Sequence, residues 1–186
     1  MSLLEKTLWM VVNQFERLAI PYAIMGGLAV RIHGLPRPTH DIDFTIGIGR
    51  TELIDWFVVA EKEGLCVEDS YKKGWVDNVQ GLPLIKLKAY YTATECLDID
   101  IFLAEVDFQK AVLQRRQQVF LNDQSLYVVS PEDLILLKLI AGRPRDFLDI
   151  KDILFVQGRL DNDYMLFWAE KYKVENKLQE FLQSPL

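Results

Sequence analysis

The sequence predicts an α+β fold: a sheet with helices packed against it, followed by a helical C-terminal part. Three observations carry that expectation. Leu4, Leu8, Val11, Val12, Phe15 and Leu18 recur near a 3.6-residue period, which predicts an amphipathic helix over 3–19. Residues 41–46 and 97–103 alternate aspartate with apolar residues, the two-residue period of half-buried strands. Near residue 130 the pattern changes from mixed to all helix. The chain of 186 residues is long enough for one domain with a real core, or for one domain plus a small helical appendage.

The remaining elements follow from local signals. Pro21 ends the first helix, and Tyr22 to Met25 is a short apolar run that reads as a buried strand. Gly26-Gly27 predicts a tight turn, Leu28 to His33 a helix, and Gly34 its stop. Pro36 and Pro38 hold the chain extended before the 41–46 strand. A helix is expected over 51–63, closed by Gly64, then a strand from Cys66 to Glu68. Ser70 to Gly81 is polar and turn-rich and predicts a hairpin or loop. Pro83 to Tyr90 and Leu97 to Leu103 read as strands, and 105–114 as a short helix. Val119 to Leu121 and Leu126 to Val129 flank the turn Asn122-Asp123-Gln124-Ser125, a hairpin pattern. Ser130-Pro131-Glu132-Asp133 starts a helix, with Ser as N-cap, Pro at the first position and acids in the first turn. That helix runs to about Ala141, where Gly142 and Pro144 break it, and helices over 145–156, 161–171 and 174–182 complete the chain.

Composition excludes several classes. Half the residues are hydrophobic and 26% are charged, a soluble globular balance. No apolar run reaches the roughly 18–20 residues of a membrane span. The N-terminal stretch lacks the basic start and small-residue cleavage site of a signal peptide. Cys66 and Cys96 have no motif spacing, which fits a reducing cytoplasm. A net charge of −6 argues against broad, sequence-blind nucleic-acid binding.

The chemistry points to the acids. Asp41 and Asp43 are i and i+2 in a strand, so both face one side, and Asp98 and Asp100 repeat the arrangement. If the strands are neighbours, three or four carboxylates meet on one patch of sheet. Such an all-oxygen set suits magnesium or manganese. The alternative is that each pair is a solvated strand end. Gly26 and Gly27, between a strand and a helix, can present free backbone N–H groups to a phosphate, or can form an ordinary strand-to-helix turn. Arg37 can bind a triphosphate or pair with a carboxylate, and Thr39 can fix the loop. His33 and His40 read as structural; by alternation, His40 points away from the face of Asp41. Lys138, Arg143, Arg145, Asp146 and Asp149 cluster around the break between two helices. There Lys138 or Arg145 can reach phosphate oxygens, or Arg145 can pair with Asp149 in a solvated joint. Phe155, Tyr164, Phe167, Trp168, Tyr172 and Phe181 read as helix and core contacts.

The run GG-x-A-x-R-x-H-G…R-x-T-x-D-I-D-F resembles the minimal nucleotidyltransferase superfamily, whose fold is shared with DNA polymerase beta. Within it, the chain looks like the AbiEii-type group of bacterial nucleotidyltransferases, many of them toxin–antitoxin components. SPEDLILLKLIAGRPRDFLDI is similar to that group's helical segment, so the resemblance covers roughly residues 20–155. It implies a nucleotidyltransferase-like mixed twisted β-sheet with helices packed against it and a helical C-terminal part. The regions would be a catalytic 1–129 and a helical 130–186 packed on it, or one continuous domain. It implies transfer of NMP from an NTP to a hydroxyl of a protein, RNA (such as tRNA) or small-molecule acceptor, with Mg2+ or Mn2+, in the cytoplasm. Asp41 and Asp43 match the paired metal-binding acids. Asp98 or Asp100 matches the third, Asp100 preferred for the Ile-Phe-Leu that follows it. Gly26 and Gly27 match the phosphate loop, where Gly27 replaces a serine and its hydroxyl contact; Lys138 falls in the later basic-acidic motif. The alternative is a catalytically weak toxin–antitoxin binding partner.

Overall fold

The computed structural model describes residues 2–92, 95–121 and 124–183. Helix α1 (Leu3–Arg17) begins in a capping box, the Ser2 hydroxyl accepting from the Glu5 amide and the Glu5 carboxylate from the Ser2 amide. Strand β1 (Tyr22–Met25) runs straight into α2 (Gly26–His33), so the helix starts two residues earlier than predicted, with Gly26 at its opening corner in a left-handed conformation (φ 61). Then follow β2 (Asp41–Ile46), α3 (Arg50–Lys62) and β3 (Leu65–Val67). The turn-rich stretch forms a short α4 (Asp69–Lys72) and then β4 (Asp77–Val79), which hairpins with β5 (Leu82–Tyr90). After β6 (Cys96–Leu103) and α5 (Asp107–Gln114), β7 (Gln117–Leu121) and β8 (Gln124–Val128) pair antiparallel. Of the expected turn, Asn122 and Asp123 lie outside the described residues, and Gln124 and Ser125 belong to β8.

The C-terminal part is helical: α6 (Pro131–Ala141), α7 (Pro144–Val156), α8 (Asn162–Lys171) and α9 (Glu175–Gln183). Ser130 caps α6 through its hydroxyl. Gly142 ends it at φ 65, a left-handed conformation suited to glycine, and its amide closes on the Lys138 carbonyl.

The sheet is mixed, in the order β3-β5-β6-β2-β1-β8-β7, with β4 on β5. β2 lies between an antiparallel β1 and a parallel β6. Alternation sorts its two faces as predicted. Ile42, Phe44 and Ile46 of β2, with Ile99, Ile101 and Leu103 of β6, are buried under α1 and α5, with α3 packed beside α1 over β3. Phe15 meets both Phe44 and Trp56 at 5.3 Å between ring centroids. Phe44→Ala would cost about 3–5 kcal/mol in this packing. The Trp56 indole N–H donates to buried Gln14, so this aromatic layer leaves no polar hydrogen stranded at that point. On the opposite face, α2, α6 and α7 pack against one another across the chain ends of β1 and β2. The carboxylates lie on that second face.

Of the late aromatics expected in helix contacts, Trp168 is buried and the Tyr164 hydroxyl donates to Asp133, but Phe155 and Phe167 are 66% and 52% exposed. Phe167 still meets the Trp168 ring at 5.2 Å between centroids, with the Lys171 ammonium over its face. No helix among the described residues is long and apolar enough to cross a membrane.

Candidate active site

Register brings the acids together. Parallel pairing of β2 with β6 sets Asp41 opposite Asp98 and Asp43 opposite Asp100. On the other side of β2, Met25 is opposite Asp43, so α2 opens directly beside that carboxylate. The approach depends on Gly26. Its φ is +61, and a β-carbon there would fall 2.5 Å from Asp43 Cγ. Gly27 is equally confined: a β-carbon would come within 2.8 Å of Thr39 Cβ and 3.3 Å of Arg37 Nη1, with Thr39 Oγ1 nearer still.

The electrostatics of this patch are unfavourable without a counter-charge. Burial pushes the Asp43 carboxyl up to about 7, and the charges of Asp41 and Asp100 add to the effect. Burial also raises Asp100, against a partial offset from Lys86, whose Nζ is 3.9 Å from Oδ2. Asp41 accepts a 2.7 Å hydrogen bond from the Thr39 hydroxyl. Asp98 shares the face but is drawn away by Lys88 at 2.5 Å and is well exposed. Among the described residues, no three acidic, His or Cys side chains close on one point as they stand. Asp41 is turned to Thr39, Asp98 to Lys88 and Asp100 toward Lys86. By donor chemistry and charge, Asp41, Asp43 and Asp100 fit a hard divalent cation, whose charge would offset both the burial that raises Asp43 and the repulsion that adds to it.

A second cluster forms at the α6–α7 joint. Arg37 grips buried Asp149 through two hydrogen bonds, 2.6 Å from Nε and 2.8 Å from Nη2. Lys138, also buried, donates to Asp149 at 2.5 Å and to Asp146 at 3.3 Å. Arg143 holds Asp146 from its side chain and its backbone amide. Burial opposes ionisation of Asp146 and Asp149, but hydrogen bonds from Arg143 to the first and from Arg37 and Lys138 to the second outweigh it and hold both carboxyls below the ordinary range. The alternative of an Arg145–Asp149 pair is not realised: Asp149 is taken by Arg37 and Lys138, and Arg145 donates to the Pro38 carbonyl. Three cations thus share two acids, leaving a net positive charge beside the glycine corner.

Two lobes meet here, each of about 250 Å³. The polar lobe is walled by Gly27, Arg37, Thr39, His40, Asp41 and Arg145. The apolar lobe lies under α6, between Leu137 and Ile140 and the sheet residues Leu82, Leu84 and Phe102. Gly26, Asp43, Asp100, Lys138, Arg143 and Asp146 line both. A larger cleft of about 780 Å³ beside α7 and α8 shares no residue with either lobe.

All the residues expected at the site therefore lie on or beside one cavity, Asp98 excepted, which lines neither lobe. His40 corrects the alternation argument: it precedes β2, so the pleat does not govern it, and it lines the polar lobe. His33 is structural as expected, buried with Nε2–H on the Val129 carbonyl at 2.7 Å. Arg143 and Lys86 also line the cavity, beyond the residues the sequence singles out. Arg143 belonged to the charged joint already noticed, and the alternation of β5 places Lys86 on the carboxylate face.

The fold is that of the nucleotidyltransferases. The structure is similar over 97% of its length to an antigenic nucleotidyltransferase-like protein from Paracoccidioides brasiliensis (20% identity, 93% of that chain covered, TM-score 0.54). It is similar over 82% to the lincosamide antibiotic adenylyltransferase LnuA in its lincomycin-bound form (19% identity, 98% of that chain, TM-score 0.55). Over 92% it is similar to ANT(2")-Ia in complex with adenylyl-2"-tobramycin (13% identity, 97% of that chain, TM-score 0.56). No family model and no curated protein matches the chain.

Proposed function

We propose that the protein is a divalent-cation-dependent nucleotidyltransferase that moves a nucleoside monophosphate from an NTP to a hydroxyl and releases pyrophosphate, and that it is a member of the AbiEii-type group. The observation that carries this reading is the in-register facing of Asp43 and Asp100 beside a glycine-opened helix start. The similar structures that are adenylyltransferases support it at the level of fold.

Asp41 and Asp43, with Asp100, would hold Mg2+ or Mn2+. When bound, that cation supplies charge neutralisation for the triphosphate and polarises the reacting phosphoryl group. The acceptor oxygen attacks the α-phosphorus, its proton passes to Asp100, and the bond from the α-phosphorus to the pyrophosphate oxygen breaks. Amides at Gly26 and Gly27 would face the triphosphate at the start of α2. Thr39 Oγ1 occupies the space beside Gly27 where a serine side chain would begin, so its hydroxyl would take over the missing contact once Asp41, its present acceptor, turns to the cation. Arg37 and Lys138 are committed to Asp149, so their contribution would be the positive field of the cluster rather than free hydrogen-bonding arms.

The Gly27 departure also favours a second reading, a weak enzyme that serves as one half of a toxin–antitoxin pair. One assay separates the two: α-labelled NTPs, Mg2+ and cell extract, with wild-type protein and Asp43→Ala. Transfer that Asp43→Ala abolishes supports the enzyme. No transfer from any NTP, with tight binding to the product of a neighbouring gene, supports the partner.

A further inference from the structure

We infer that the acceptor is a small, largely apolar molecule bearing a hydroxyl, received in the lobe beneath α6; this rests on the transfer reading above. The two lobes divide the chemistry. The polar lobe carries the glycine corner, the Thr39 hydroxyl and the arginines, everything a triphosphate would use. The other is walled by Leu82, Leu84, Phe102, Leu137 and Ile140, with Val79 at the β4–β5 turn on a further side. Asp43 and Asp100 stand on the boundary between them, so a hydroxyl projecting from the apolar lobe arrives beside the carboxylate that takes its proton.

Charge narrows the class. In the apolar lobe Asp146 is already held by Lys138 and Arg143, and Asp43 and Asp100 are the acids that would face the cation. Among the described residues, no further acid lines the lobe to receive a polyamine. Of its cations, Lys138 and Arg143 are held by Asp146, and Lys86, with Nζ 3.9 Å from Asp100 Oδ2 and a side chain 56% exposed, keeps its charge largely in solvent. With a net charge of −6, the chain offers little to the phosphate backbone of an RNA acceptor. What remains is an aliphatic and aromatic wall that favours an uncharged ring or chain.

The test uses 2-naphthol, a fluorescent apolar alcohol, as the probe, with wild type, Ala141→Phe, which fills the lobe from the end of α6, and Val79→Asp, which charges its rim. Affinity for a fluorescent ATP analogue reports that each variant is folded. Saturable naphthol binding to wild type, weakened roughly tenfold or more in both variants, supports the assignment. Binding that is absent, or equal in all three, overturns it. The second arm follows label from α-labelled NTPs in whole extract. Label on a small species that passes an ultrafilter, reduced in Ala141→Phe, supports the inference. Label on RNA or protein overturns it while leaving the transfer reading standing. Naphthol binding without transfer to any acceptor removes the transfer reading and the acceptor assignment with it.

Discussion

Gly26 and Asp43 approach so closely that a β-carbon on the glycine would lie 2.5 Å from the carboxyl carbon of the aspartate. Gly26→Ala therefore meets two penalties. The left-handed φ of +61 costs an L-residue about 1–2 kcal/mol. The methyl must also displace Asp43 from the place where it faces Asp100. The expected outcome is a modest loss in urea denaturation, on the order of 1–3 kcal/mol, with transfer activity falling by about a hundredfold or more. Full activity in a folded Gly26→Ala protein would contradict the role given to this contact.

The sequence made the carboxylate face legible because a period of two allows few readings: once 41–46 and 97–103 are strands, each aspartate pair shares a face. It could not show that β2 and β6 are parallel neighbours in register, because pairing is a long-range choice set by the whole sheet. The start of α2 was misplaced for a physical reason. Gly-Gly is a turn signal by propensity, yet the helix begins at Gly26 because glycine tolerates the pressed contact with Asp43. The fates of Arg37 and Lys138 were equally hidden. Nothing local links Arg37 to Asp149, which it meets only when α7 folds against the 34–40 loop, and Lys138 reaches Asp149 through the packing of α6 on α7.

Thr39 and Gly27 compete for the same space, so their substitutions should be coupled. Thr39→Ala is expected to raise the KM for NTP several-fold, the loss of one hydroxyl hydrogen bond of about 1 kcal/mol. Gly27→Ser alone should be worse than wild type because its β-carbon collides with the Thr39 side chain. In the Thr39→Ala background, Gly27→Ser should recover part of the NTP affinity. A double-mutant cycle on KM reads the coupling; strict additivity would oppose it.

Arg37 and Asp149 form the best-shielded bidentate ion pair of the site, with the aspartate 1% exposed. Arg37→Met leaves Asp149 with Lys138 as its remaining cation. Urea denaturation should show a loss of about 2–4 kcal/mol. The loss should change little between low and moderate salt, since the pair is mostly out of reach of screening. A cost below half a kilocalorie, or one erased by salt, would place the pair at the surface instead.

The raised carboxyl of Asp43 makes stability depend on pH. Its folded value of about 7 exceeds the ordinary 3.8, so between those values the folded state binds more protons than the unfolded state. Stability contributed at low pH is therefore lost as pH rises from about 4 to about 7. In chelator, Asp43→Asn should be more stable than wild type at pH 8, by on the order of 2–4 kcal/mol. The advantage should vanish near pH 4. Guanidinium denaturation at the two pH values checks the sign; a destabilised Asp43→Asn at pH 8 would mean that the carboxylate is not under strain.

The most direct measurement is a Mn2+ titration, followed by electron paramagnetic resonance, of the protein with a non-hydrolysable NTP analogue. If acids from β2 and β6 take the ion together, wild type binds it, and Asp43→Asn and Asp100→Asn each weaken binding by about tenfold or more, while Asp98→Asn leaves it unchanged. Equal Mn2+ affinity in wild type, Asp43→Asn and Asp100→Asn would contradict the account.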